Sequence, residues 1–60
     1  MFQIICLDNG KQFYFKASTP YEALNKMKYY LKDDEAIINI TETGQYLYFE
    51  HNGMTYVIKN

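Results

Sequence analysis

Hydrophobic residues dominate two short runs near the amino terminus, 2–7 and 12–17, and a polar stretch around Asn9-Gly10 separates them. Both runs are rich in β-branched and aromatic residues, which favour strands. An Asn-Gly pair tolerates the positive φ angles of a type I′ turn. With this pair as a two-residue loop, Cys6 lies opposite Phe13 and the inward pairs are apolar. The pattern predicts a β-hairpin with one apolar and one mixed face.

The segment Thr19-Pro20-Tyr21-Glu22 has the residue types of a helix start. A hydroxyl side chain caps the helix, proline occupies its first position, and glutamate follows three residues after the cap. From Pro20 to about Lys32, apolar residues recur every three or four positions, and Asp33-Asp34 ends the pattern. The sequence predicts an amphipathic helix of about three turns, whose buried stripe is formed by Ala23, Leu24, Met27, Tyr30 and Leu31.

The last third of the chain contains three runs with the alternation of apolar and polar residues that is typical of strands, over 36–41, 46–51 and 54–59. They predict a three-stranded meander. Turn residues lie between these runs at Thr43-Gly44 and Asn52-Gly53.

Turn lengths predict which residues of the meander face each other. A two-residue turn at Asn52-Gly53 sets Phe49 opposite Tyr56. An even-length turn near Gly44 sets Ile38 opposite Phe49 and Ile40 opposite Leu47. Both registers place apolar side chains on the same face of the sheet.

Together these elements predict a single α+β domain over residues 1–60. We expect a single-layer antiparallel five-stranded sheet with one helix packed on one face, in the order β-β-α-β-β-β. The first and third strands are apolar on both sides, which favours the spatial order 2-1-3-4-5. The order 2-1-5-4-3 is also compatible with the pattern.

The opening hairpin and helix resemble, in outline, a β-grasp domain of the immunoglobulin-binding type. The resemblance rests on Asn9-Gly10-Lys11 at the turn and on Thr19 and Glu22-Ala23 at the helix start. It covers about the first half of the chain and ends where an additional strand follows. No function is carried over from it.

A single helix can cover only one face of this sheet, so the other face should remain open. Its size is on the order of 480 Å², and a patch of that size on a monomer usually marks an interface. Tyrosine suits such a surface because it combines contact area with a polar tip. We therefore expect a protein partner, or a second copy in a homodimer, to contact Tyr14, Tyr46 and Tyr48 together with Ile5, Leu7, Ile37 and Val57.

The amino-acid composition argues against an internal disulfide and against a zinc site. The 60 residues are 48% hydrophobic and 22% charged, with a formal net charge of −1 and only one Cys and one His. One cysteine excludes an internal disulfide, and the two residues together leave a zinc site short of ligands. We expect no metal, no cofactor and no small-molecule substrate.

The helix exterior offers an alternative function, contact with nucleic acid. Lys26, Lys28 and Lys32 surround Tyr29 there, so phosphate contact combined with base stacking is conceivable. The net charge and the absence of Arg, whose guanidinium binds phosphate and guanine in bidentate fashion, favour the protein partner instead.

No residue pattern indicates an enzyme. Cys6 should be a packed, inert thiol, because it lies on the core side of a strand and has no basic neighbour along that strand to activate it. His51 should be a surface residue beside the second Asn-Gly turn, and Asp33-Asp34-Glu35 a solvated loop without the spacing of an EF-hand.

The start of the chain carries no basic run, and its apolar stretch is too short for a signal peptide or a membrane span. These features predict a cytoplasmic protein without a membrane partner. Phe, Tyr, Met, Ile, Asn and Lys, which have A/T-rich codons, are abundant. That composition resembles short reading frames of low-GC Gram-positive bacteria and their phages and plasmids. It suggests an adaptor or inhibitor encoded by a phage or mobile element that acts on a host protein.

Overall fold

A computed structural model describes residues 1–32 and 37–60 and contains five strands and one helix in these ranges. All neighbouring strands are antiparallel and form one sheet in the order β2-β1-β5-β4-β3. This is the predicted α+β architecture. The loop expected at Asp33-Asp34-Glu35 and Ala36, the first residue of the predicted strand 36–41, lie outside the described residues. The elements are β1 (Phe2–Cys6), β2 (Gln12–Phe15), α1 (Pro20–Leu31), β3 (Ile37–Thr43), β4 (Tyr46–His51) and β5 (Met54–Lys59).

The strand order is the second of the two that the sequence left open. The favoured order, with the third strand in the centre, is wrong because β3 forms an edge and β5 occupies the centre. Three consecutive residues of β5, Tyr56, Val57 and Ile58, are buried, as expected for a strand covered on both faces and flanked by two neighbours. In β3 only Ile37 is buried.

The β4–β5 hairpin has the predicted register. Phe49 pairs with Tyr56, and a two-residue loop connects His51 with Met54. Asn52 and Gly53 both have positive φ angles, 52° and 76°, as a type I′ turn requires.

The β1–β2 hairpin is displaced by two residues from the predicted register. Ile4, rather than Cys6, lies opposite Phe13, and the loop spans residues 7–10. The wider loop is attached to the central strand, because the Thr55 backbone N–H donates to Asp8 Oδ2 at 2.7 Å. A shift of two positions leaves each side chain on its predicted face.

The pairing of β3 with β4 differs from its predicted register more than the first hairpin does. Thr43 pairs with Tyr46 across a loop formed by Gly44 and Gln45, and Glu42 rather than Ile40 lies opposite Leu47. Further along, β3 contains a bulge, in which the two residues Asn39 and Ile40 lie opposite the single residue Phe49.

Because the bulge adds one residue to β3, the residues that precede it point to the opposite face of the sheet from the one predicted. Ile37 packs into the core, whereas Ile38 lies opposite Glu50 and is 54% exposed. The predicted inward positions of Ile38 and Ile40 are therefore wrong.

The helix begins and ends as its sequence indicates. Thr19 caps it and its hydroxyl accepts a hydrogen bond from the Glu22 backbone N–H, while the Glu22 carboxylate accepts one from Ser18 N–H. Lys32 ends it in the left-handed conformation, and its N–H donates to Lys28 O. The described chain contains no helix with the length and apolarity needed to cross a membrane.

The helix covers one face of the sheet, against β4 and β5, and encloses the core there. Tyr30 is 61% exposed rather than buried and lies edge-on against Phe13 at a ring-centroid distance of 5.5 Å. The buried cluster consists of Ile4, Cys6, Ala23, Leu24, Met27, Ile37, Leu47, Phe49, Tyr56 and Ile58.

Candidate interaction surface

The open face is the side of the sheet opposite the helix. Strand register arranges its side chains in three rows that run across the strands. The middle row contains Gln12, Ile5, Val57, Tyr48 and Thr41. The lysine row contains Tyr14, Gln3, Lys59, Tyr46 and Thr43, and the glutamate row contains Leu7, Thr55, Glu50 and Ile38.

Three apolar side chains form the centre of the middle row. Val57 on the central strand lies between Ile5 and Tyr48 and is 7% exposed. Val57 is absent from the core cluster beneath the helix, so its burial comes from its neighbours on the open face. Ile5 and Tyr48 are half-buried and present the apolar surface that a partner could contact.

Two of the three predicted tyrosines are in contact. Tyr46 and Tyr48 are two residues apart on β4, and their rings meet edge to face at a centroid distance of 6.3 Å. Such pairs hold each other in position, which lowers the entropy lost when a partner binds. This pair is the aromatic part of the open face nearest its centre.

The third tyrosine belongs to a polar group at the other end of the sheet. Gln3 Nε2 donates to Gln12 Oε1 at 2.8 Å and to the Tyr14 hydroxyl at 3.1 Å, and that hydroxyl donates to Gln12 Oε1. Gln3 and Lys59 separate Tyr14 from Tyr46 within the lysine row. The three tyrosines therefore do not form one continuous cluster.

The two charged residues of the open face lie on opposite sides of the apolar centre. Lys59 is in the row beyond Val57 toward Tyr46, and Glu50 is in the row on the other side, opposite Thr55. Both side chains are partly exposed. Four strand positions separate the two rows, about 13 Å, which is too far for an ion pair within one chain.

One predicted contact residue lies elsewhere. Ile37 is buried in the core beneath the helix, so its placement on the open face is wrong. The bulge at Asn39 brings Ile38 to the open face instead. Leu7, which follows β1, is exposed beside Thr55, to whose carbonyl it donates a backbone hydrogen bond. The alternation pattern gave no sign of this exchange, because a bulge adds one residue without a hydrophobic signature.

The lysine-bearing helix surface is separate from the open face. Tyr29 is 84% exposed there, and Lys28 is half-buried. The Lys26 ammonium contacts the Lys16 carbonyl at the end of β2, and Lys32 forms the helix cap. Tyr29 is available for stacking, but one of the lysines already has a backbone partner.

Cys6 and His51 both lie on the core face. Cys6 is fully buried, and its Sγ is 3.8 Å from Met54 Sδ. His51 is 7% exposed, so its predicted surface position is wrong. The cause is the register: His51 lies between Ile37 and Met54 on the covered side of the sheet. Among the described residues its Nε2 atom has no hydrogen-bond partner.

The surroundings of two tyrosines, Tyr21 and Tyr56, raise their pKa values. The hydrogen bond that Tyr21 donates to Glu42 raises the pKa of Tyr21, and partial burial and the carboxylate charge add to the effect. Burial raises the pKa of Tyr56, and the neighbouring Cys6 and Asp8 act in the same direction. In residues 1–32 and 37–60 no three His, Cys, Asp or Glu side chains are grouped as a metal site would require.

No protein-family model, curated protein or solved structure matches the chain. The open face is therefore the feature of the molecule that points to a function.

Proposed function

We propose that the chain is a small, non-enzymatic interaction module that binds a protein partner through the open face. The observation that supports this most directly is the apolar centre formed by Ile5, Val57 and Tyr48, which the helix does not cover. The edge-to-face ring of Tyr46 extends it. Gln3 and Lys59 border it on one side and Thr55 and Glu50 on the other, as polar residues border the apolar centre of many protein interfaces.

The chemistry of the face favours a folded partner with a flat surface. Tyrosine hydroxyls, glutamine amides and threonine hydroxyls can form hydrogen bonds around a contact whose centre is apolar. One lysine and one glutamate leave the face without net charge, so electrostatic steering toward a strongly acidic or basic partner is not expected.

We further infer, from the A/T-rich codon composition, that the protein is an adaptor or inhibitor of phage or mobile-element origin that acts on a host protein in the cytoplasm. A modulator of this kind needs one binding face and no catalytic group.

Affinity capture from the native host, followed by binding measurements with the purified partner, tests the proposed function. We compare Tyr48→Ala on the open face with Tyr29→Ala on the helix, the matched control, after circular dichroism shows that both variants are folded. Truncation of a central aromatic contact should weaken binding at least about tenfold, whereas the helix variant should stay within about twofold. A partner that is lost with Tyr29→Ala but retained with Tyr48→Ala would contradict the proposal.

A second candidate function, contact with nucleic acid, is favoured by the exposure of Tyr29 between Lys26, Lys28 and Lys32. Stacking of a base on Tyr29 would be assisted by phosphate contacts from the lysines. Gel-retardation assays at low salt with single-stranded RNA and DNA test it. The absence of a shift at micromolar protein would exclude this function.

A further inference from the structure

The positions of the two charged residues on the open face indicate which kind of partner fits it. Lys59 and Glu50 occupy opposite outer rows, with the apolar middle row between them. When two identical sheets pack face to face, their two-fold axis lies in the plane between them. When the strand directions of the two sheets are roughly aligned, the axis runs close to the strand direction or close to the perpendicular, and these two cases bring different charges together.

An axis along the strands, above β5, leaves every row opposite itself. Lys59 of one copy then faces Lys59 of the other, and Glu50 remains in the glutamate row without a cation near it. Like charges directly opposite each other in a partly dehydrated contact oppose association. Charge therefore disfavours this arrangement.

An axis across the strands, along the middle row, exchanges the two outer rows. Lys59 then faces Thr55 of the second copy and is offset sideways by one strand spacing, about 4.8 Å, from that copy's Glu50, across a separation of about 10 Å between the two sheets that the side chains span. The same Glu50 faces Tyr46, whose hydroxyl can donate to the carboxylate. Symmetry repeats both contacts, so each charge gains an opposite charge.

The same axis also brings the apolar residues together. Val57 meets Val57 of the second copy, and Ile5 and Tyr48 meet their own equivalents along the middle row. Antiparallel sheets pack face to face in this way, with strand directions about 30° apart because of their twist. The open face is thus self-complementary in both apolar surface and charge.

The size of the face limits the strength of the contact. Two faces of about 480 Å² bury roughly 1,000 Å² together, which is at the lower limit for a specific interface. We expect association that depends on protein concentration, at the weak, micromolar end of the range of protein interfaces.

We propose that the open face binds a second copy of this chain, around a two-fold axis that crosses the strands and pairs Lys59 of each copy with Glu50 of the other. The proposal depends on the proposed function of the open face as a protein-binding surface, and a second copy and a host protein would compete for that face.

Sedimentation equilibrium of the full chain, from about 1 µM to about 500 µM, measures the dimer directly. We compare Lys59→Glu, Glu50→Lys and the double variant that exchanges the two charges. Each single variant should raise the Kd about tenfold, because two pairs become repulsive in each dimer. The double variant should return the Kd to within about threefold of the original. Since the two residues are too far apart to pair within one chain, this rescue can come only from contact between copies.

Lys11→Glu is the matched control, because it makes the same charge change on an exposed residue outside the open face. Its Kd should stay within about twofold of the original. A chain that remains monomeric at every concentration would overturn the second-copy proposal, and so would a dimer whose Kd the exchange does not restore. In either case, loss of a captured partner with Tyr48→Ala would still support the proposed function with a different protein.

Discussion

Two identical dipeptides in this chain form different turns. Asn52 and Gly53 both adopt positive φ angles and close a two-residue loop, as their sequence predicts. At the first Asn-Gly only Gly10 does so, because the Asn9 side chain accepts a hydrogen bond from Lys11 N–H and Asp8 binds the backbone of Thr55. Residue chemistry predicts a turn at both places, and contact with another strand decides its length.

His51 provides a test of how a buried polar atom affects stability. A buried nitrogen without a hydrogen-bond partner costs about 1–3 kcal/mol, and Phe retains a ring that can meet Tyr56 edge-on. We expect His51→Phe to raise the free energy of unfolding by about 1 kcal/mol, measured by urea denaturation. His51→Ala, which also removes the ring contacts, should lower it. If His51→Phe lowers the free energy of unfolding, the missing hydrogen bond at Nε2 is not the dominant effect on stability at this position.

Tyr56 makes stability depend on pH in the alkaline range. Burial and the neighbouring Cys6 and Asp8 raise the pKa of Tyr56 above its ordinary value of 10.0. A group whose pKa is higher in the folded state stabilises the fold fully below the unfolded pKa, and this contribution is lost as pH rises through the folded pKa. We therefore expect the free energy of unfolding to fall above about pH 10.

Urea denaturation at a series of alkaline pH values measures this loss. Tyr56→Phe, which cannot ionise, should flatten the dependence, whereas Tyr29→Phe on the exposed helix surface should leave it unchanged. An equally steep decline in Tyr56→Phe would assign the effect to another group.

At the scale of the elements, β3 departs most from expectation. Its alternation predicts a continuous strand with Ile38 and Ile40 facing inward, but a bulge places Ile37 in the core instead. Asn39 permits this because it adopts a φ of 54°, which asparagine tolerates better than most residues. Both edges of the sheet are also limited: β2 has four residues, and β3 is interrupted. Short or bulged edges discourage pairing with further strands.

Asn39→Val tests the bulge. A β-branched residue in the left-handed region should lower the free energy of unfolding by about 1–2 kcal/mol. Asn39→Gly should remain close to the original, because glycine adopts this conformation freely. The side chain is exposed, so lost packing does not confound the comparison. Equal stabilities of the two variants in urea denaturation would show that the backbone angle is not what limits this position.

At the scale of the whole molecule, one helix and one sheet enclose a small core and leave a second face open. A 60-residue chain buries only about 60% of the surface that its unfolded form exposes, so each core side chain contributes a large share of stability. Because the folded chain buries so little apolar surface, a contact that covers the open face should stabilise it further.

Met27→Ala tests the dependence on the single layer of helix. Met27 is fully buried, and its truncation should lower the free energy of unfolding by about 2–5 kcal/mol. A domain of this size has a total of about 3–9 kcal/mol, so we expect substantial unfolding at room temperature, visible by circular dichroism. Tyr29→Ala on the exposed side of the same helix should change stability by less than about 0.5 kcal/mol. A fully folded Met27→Ala variant would indicate that the core does not depend on the helix.

Local pattern was sufficient for the element order, the helix start, the β4–β5 register and most of the open face. Alternation placed Ile5, Tyr48 and Val57 on one side, and an error of two residues in the first hairpin changed no side chain's face. The pattern failed at Ile37, because the extra residue of the bulge turned its side chain into the core. It also failed at His51, because this last residue of β4 lies on the face that the helix covers.

The amino-acid sequence by itself determined which segments form strands and helix and which side of most strands is apolar, because these depend on short-range periodicity and turn chemistry. Only the tertiary structure decided that β5 is central, that β3 bulges and that Ile5 of β1 lies beside Val57 in the apolar centre of the open face. The central place of β5 depends on its pairing with β1, which is distant in sequence, and the bulge accompanies the packing of Ile37 into the core. In both cases several arrangements satisfy the same local pattern, and packing selects among them.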